Sequence, residues 1–261
     1  MTDFSHLKPV EARLGHTAGR PKLIVGIVTL VALGWILLAL SAADLVHIFM
    51  PSAQGWGAAD FAAAVLMWCA MVLAMMLPSA GPMLLTYAEI ADTAARKGEC
   101  IVSPWVLAAG YVSVWFGFAL AAAVLQGALT HAALLESASS STSTFLSAAL
   151  FIGAGFYQFS PLKHVCLSQC QRPFPFFFAN WTTRWQGIVR LGLRQGLYCL
   201  GCCWVLMLLM FAVGVMNVGW MVVLGLIIIG EKMTARFSRP VGVLLIVIGS
   251  TFALSTTQPS F

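Results

Sequence analysis

The chain has 261 residues, of which 60% are hydrophobic and 9% charged, with a formal net charge of +5. Soluble domains carry roughly 25% charged residues, so this composition excludes an ordinary soluble globule. A transmembrane β-barrel is excluded as well, because the alternating segments of about 10 residues that such barrels need are absent.

A membrane-spanning helix needs about 20 consecutive apolar residues. Residues 1–22 are too polar for this and read as a cytoplasmic N-terminal segment. They do not read as a cleavable signal, because the run Leu23 to Ala43 behind them is long enough to span. Spans are predicted near 23–45, 58–80, 103–129, 143–162, 195–214, 217–232 and 240–256, all within one helical domain over 23–257. The second ends in the run MWCAMVLAMMLPSAGPM, where Pro78 and Pro82 flank Gly81 and predict an interrupted helix. Ser137 to Thr144 reads as a short outer loop. Residues 163–194 form the predicted cytoplasmic loop, and its FPFFF run, Phe174 to Phe178, reads as a segment at the membrane interface. The apolar run Gln195 to Gly230 is 36 residues long, too long for one span, and Gly214, Asn217 and Gly219 offer a turn in its middle.

With about seven spans, all 14 Lys and Arg residues fall on one side. Lys and Arg mark the cytoplasmic side. The sequence therefore predicts an all-α, polytopic transmembrane helix bundle with its N-terminus cytoplasmic and its C-terminus outside. On this reading the net charge reflects sidedness in a lipid bilayer, and nucleic acid is not an expected partner.

Seven cysteines are present. Cys69 and Cys100 are isolated, Cys166 and Cys170 share the run CLSQC, and Cys199, Cys202 and Cys203 share CLGCCW. The predicted topology puts both clusters near the cytoplasmic face, at the two ends of one loop. A lone buried cysteine usually acts as a small apolar residue, but five in two clusters point to a soft-metal site. Structural disulfides do not suit a reducing cytoplasm. Zinc usually takes two CxxC pairs, whereas these spacings are CxxxC and CxxCC. Cys199 and Cys202 have the spacing of a redox pair, without the strand–helix alternation of a thioredoxin-like fold.

Helical spacing extends the sulfur pattern. Cys199, Cys203, Met207 and Met210 share one helix face, as do Met67, Met71 and Met75, with Met76 and Met83 close by in the chain. Thiolates and thioethers are the soft ligands that select Cu(I). His164 is a weaker ligand candidate, and Tyr157 and Gln158 are polar groups suited to bonds between helices. No Asp, Glu, Lys or Arg lies at the middle of a predicted span, unlike most ion-coupled transporters. Phosphate-loop, HExxH and GxSxG motifs are absent, so no ATPase, metalloprotease or serine hydrolase is indicated.

Three runs carry a resemblance: AMMLPSAGPM (Ala74 to Met83), YQFSPLKHVCLSQC (Tyr157 to Cys170), and GLYCLGCCW (Gly196 to Trp204) with Met216 and Asn217. Over about residues 55 to 235 the chain resembles the bacterial integral membrane proteins described as predicted metal-binding, domain-of-unknown-function family 2182. The resemblance implies a multi-pass protein of the bacterial inner membrane with a metal site in its cysteines. The expected thiolate ligands are Cys166, Cys170, Cys199, Cys202 and Cys203. The expected thioethers, deeper in, are Met71, Met75, Met76, Met83 and Met207. The expected cargo is copper as Cu(I), with zinc as the alternative, and the function is transport, handling or delivery to a membrane partner such as a cuproenzyme. The competing readings are a metal-free accessory subunit of a membrane complex and a membrane thiol oxidoreductase using Cys199 and Cys202. A non-enzymatic role is favoured.

Overall fold

Long apolar segments without turn residues form long helices, and the breaks fall where proline, serine, glycine or asparagine changes the backbone chemistry. The structure is a computed structural model and describes residues 20–42, 57–99, 101–132 and 144–257. The segment before Arg20, Cys100 and most of the Ser/Thr-rich outer loop lie outside the described residues.

The helices are α1 (Arg20–Ala42), α2 (Ala58–Met71), α3 (Leu77–Arg96), α4 (Pro104–His131), α5 (Thr144–Tyr157), α6 (Pro161–Gln171), α7 (Pro173–Ala179), α8 (Trp185–Val213), α9 (Val218–Met233) and α10 (Ser238–Thr257). No strand occurs among the described residues. Five segments are long and apolar enough to cross a membrane, or six if the bent pair α5 and α6 counts as one span. The expected seventh span rests on α9, which has 16 residues against the roughly 20 of an upright span.

Two predicted spans are built differently from expectation. The second is not interrupted at Pro78 and Pro82. Instead α2 and α3 run on through one π-helical turn, Val72–Met76, in which the Leu77 N–H reaches back to the Val72 carbonyl. Pro78 has no N–H to give and its ring crowds the preceding turn. A π turn just upstream absorbs that mismatch while keeping the helix continuous. The resulting segment, Ala58–Arg96, has 39 residues and ends far beyond the expected residue 80.

The fourth predicted span is broken. α5 stops at Tyr157, and α6 leaves at 65° to it. Ser160 caps α6, its Oγ accepting from the Leu162 N–H at 3.2 Å, and Pro161 occupies the first helical position. The expected loop 163–194 is mostly helical, comprising α6, the short α7 and the first turns of α8. Lys163, expected in a polar loop, is fully buried.

The division of Gln195 to Gly230 holds: α8 ends at Gly214, whose φ of 96° favours glycine, and the Asn217 side chain accepts from the Trp220 N–H at 3.2 Å to start α9.

Small residues set the closest crossings. A methyl group on Gly192 of α8 would lie 2.3 Å from the Leu107 carbonyl oxygen of α4, and one on Gly110 would lie 2.5 Å from the Val189 oxygen. With Gly196 beside the Tyr111 carbonyl, this contact has the small-xxx-small form of close helix packing in membranes. It sets Tyr111 alongside the next turn of α8, which carries Cys199.

Candidate metal centre

Cys199, Cys202 and Cys203 stand at i, i+3 and i+4 on α8, a spacing that gathers side chains on one helix face. Each is at most 2% exposed, and their sulfurs all lie within 4.8 Å of one another. Cys202 Sγ is 3.2 Å from Cys203 Sγ and 3.1 Å from the Cys199 carbonyl oxygen. The thiols are free.

Three other helices close around this turn. From α4, the Tyr111 hydroxyl lies 3.0 Å from Cys199 Sγ and 3.3 Å from the Met76 carbonyl oxygen, to which it donates. From α9, Lys232 Nζ lies 3.0 Å from Cys199 Sγ and donates to Ser79 Oγ at 2.7 Å. Ser79 and Met76 belong to the segment of the π turn and its prolines, so the irregular backbone and the sulfur cluster meet at one place. From α6, the Gln169 carbonyl accepts from Gln195 Nε2 of α8 at 3.5 Å, which brings the helix end that carries Cys170 against α8 one turn before Cys199.

The donor set suits a soft cation. A metal–thiolate bond of about 2.3 Å puts two sulfurs on one ion about 3.8 to 4.6 Å apart, from tetrahedral to linear. The observed cluster is gathered to this scale, within 4.8 Å, and the Cys202–Cys203 pair at 3.2 Å must open slightly. Lys232 sets a positive charge against the sulfurs, which offsets the negative charge of a multi-thiolate site.

The ten residues expected to hold metal are distributed unevenly. Cys199, Cys202 and Cys203 form the cluster, and Cys170 stands outside that 4.8 Å group, on the neighbouring helix α6. Cys166 lies elsewhere: its sulfur would be 2.6 Å from a methyl group on Gly201, on the opposite side of α8 from Cys199 and Cys203, so it packs α6 onto α8. Met71, Met75, Met76, Met83 and Met207 are all buried, at most 4% exposed, in the same core. Met76 is tied to the cluster through Tyr111, whereas Met75 packs on Gly225 of α9, 3.8 Å from where its Cβ would be. His164 lines an outer cavity with Phe159 and Arg239.

Sequence reasoning passed over Tyr111, Ser79 and Lys232. The signal for Lys232 was present: adjoining charges, Glu231 and Lys232, at the end of an apolar run. Nothing in the sequence around Tyr111 marks it.

No curated protein and no solved structure matches the chain. A family described as a copper chaperone, PpoB2, matches residues 65–252. The expected kinship with a metal-related family therefore holds at the level of copper, although the match does not carry the name of domain-of-unknown-function family 2182. The matched region contains the sulfur cluster and every side chain placed around it, and the chain belongs to the PpoB2 copper chaperone family.

Proposed function

We propose that this protein takes Cu(I) as cargo on Cys199, Cys202 and Cys203, with Cys170 as a fourth sulfur, and hands it to a membrane partner such as a cuproenzyme. The observation that carries this is three buried free thiols within 4.8 Å of one another on one helix face. Soft, polarisable sulfur selects Cu(I) over harder ions. More thiols than one Cu(I) requires is an arrangement suited to exchange: an incoming ligand joins the ion before a resident sulfur leaves, so the ion is never bare. The buried methionines give weaker thioether ligands for onward movement, and the backbone carbonyl of Met76 is linked to the cluster through Tyr111.

The setting is a bacterial inner membrane, with the cluster toward the cytoplasmic side, as the one-sided Lys and Arg distribution indicates.

Elemental analysis of anaerobically purified protein tests this, wild type beside Cys199→Ser/Cys202→Ser/Cys203→Ser. Wild type is expected to hold about one copper per chain or more, and the triple variant to lose it. Zinc in place of copper would move the site toward a structural role. No metal after copper-supplemented growth would overturn the reading and favour a metal-free accessory subunit.

A further inference from the structure

Glu231 and Lys232 are consecutive at the end of α9, yet they reach different helices. Lys232 holds Cys199 of α8 and Ser79 of α3. Glu231 holds α6, and it does so at both ends. Lys163 Nζ in the first turn of α6 donates to Glu231 Oε2 at 2.6 Å, and Gln171 Nε2 at the last residue of α6 donates to the Glu231 carbonyl oxygen at 2.7 Å. Lys163 and Glu231 are 0% and 1% exposed. Gln158 Oε1 accepts from Lys163, and Ser238 Oγ lies 3.3 Å from both Gln158 Oε1 and Glu231 Oε1.

A buried ion pair is weak evidence for stability, because an apolar pair of the same volume often serves as well. Ionisable groups buried within a helix bundle are costly to keep, and their presence points to a role. That role follows from α6. The 65° break after α5 means that helix continuity does not set the direction of α6. Cys166 seats it against Gly201, and Glu231 fixes its ends. Next to Gln171 lies Cys170, and the carbonyl of Gln169 on its other side accepts from Gln195 Nε2 of α8 at 3.5 Å, so this end of α6 lies against α8 one turn before Cys199.

We infer that Glu231 is the positioning residue of the fourth thiol: by holding both ends of α6 through Lys163 and Gln171, it presses Cys170 against the cluster on α8. This rests on the reading that the four thiols form one cargo site. Glu231 does not touch the cargo itself and acts through α6.

The test is thiol alkylation of the full-length, reduced, metal-free protein in detergent, resolved by cysteine with mass spectrometry. Glu231→Gln and Gln171→Ala are compared with wild type, and so is Lys163→Met/Glu231→Leu, which leaves no unpaired buried charge. Release of α6 is a local opening, so Cys170 is expected to react at least about tenfold faster in each variant while Cys199, Cys202 and Cys203 stay within about twofold of wild type. An unchanged Cys170 rate in the folded double variant would overturn the inference. So would a parallel rise at all four cysteines, which would make the pair a general support of the bundle. Copper content of the wild type, measured alongside, judges the cargo reading separately: the labelling pattern decides the positioning role even if no copper is found.

Discussion

Among the cysteines of α8, Cys199 is the one with polar company from other helices, Tyr111 on one side and Lys232 on another. Tyr111 is fixed in turn by the Met76 carbonyl, so its hydroxyl orients Cys199 from the segment that holds the methionines. Groups of this kind, one step removed from a metal, typically govern affinity by 10- to 100-fold. Tyr111→Phe is therefore expected to weaken Cu(I) retention by about tenfold, read by competition with a Cu(I) chelator of known affinity. An unchanged affinity would reduce Tyr111 to a packing residue. The cluster itself was legible from spacing, because i, i+3 and i+4 share a face on any helix. Tyr111 was not, because 88 residues separate it from Cys199 and only packing brings them together.

At the scale of elements, two features set the site: the π turn before Pro78 and the glycine contact between α4 and α8. The prolines announced an irregularity but not its form, since a break, a kink or a π turn all answer a missing N–H. The glycine contact is the sharper determinant. A methyl group at Gly192 would meet backbone oxygen at 2.3 Å, which cannot swing aside as a side chain can. Gly192→Ala is expected to destabilise the protein by about 1 to 3 kcal/mol, seen as a lower melting temperature in detergent. Because it forces α4 from α8, it should also loosen the Tyr111–Cys199 contact and lower copper retention. Gly117→Ala, on the same helix α4 but facing open space, is the control and should do neither. Equal stability of Gly192→Ala and wild type would mean that the two helices part without cost.

For the whole molecule, the distribution of Lys and Arg sets the expected sidedness. Placing all 14 Lys and Arg residues on one side requires α8 and α9 to form a hairpin that enters and leaves the membrane, although α9 has only 16 residues. Tilt of its neighbours or local thinning of the bilayer accommodates a short span at modest cost. The expected outcome is that a periplasm-active reporter fused after Thr257 is active and one fused in the turn before α10 is inactive. The reverse pattern would remove α9 as a span and put the C-terminus inside.

The sequence by itself determined the class of protein, most ends of the seven expected spans to within a few residues, the turn at Gly214 to Asn217, and the sulfur cluster on α8, but not the helices α6 and α7, the far end of α3 or the start of α8. Hydrophobic length, turn chemistry and helical period are local properties, and each can be read from a short window of the chain. Tertiary structure alone decided which cysteines meet. It separated Cys166 from Cys170, which share one face of α6 a turn apart, because that turn carries Cys166 to Gly201 and leaves Cys170 at the helix end beside Gln171. It also buried Lys163 against Glu231 and drew Lys232 to Cys199. Charges that mark the membrane boundary in a linear reading become partners when a 65° bend and a short α9 bring helix ends inside the bundle. There an unpaired charge would be too costly to keep.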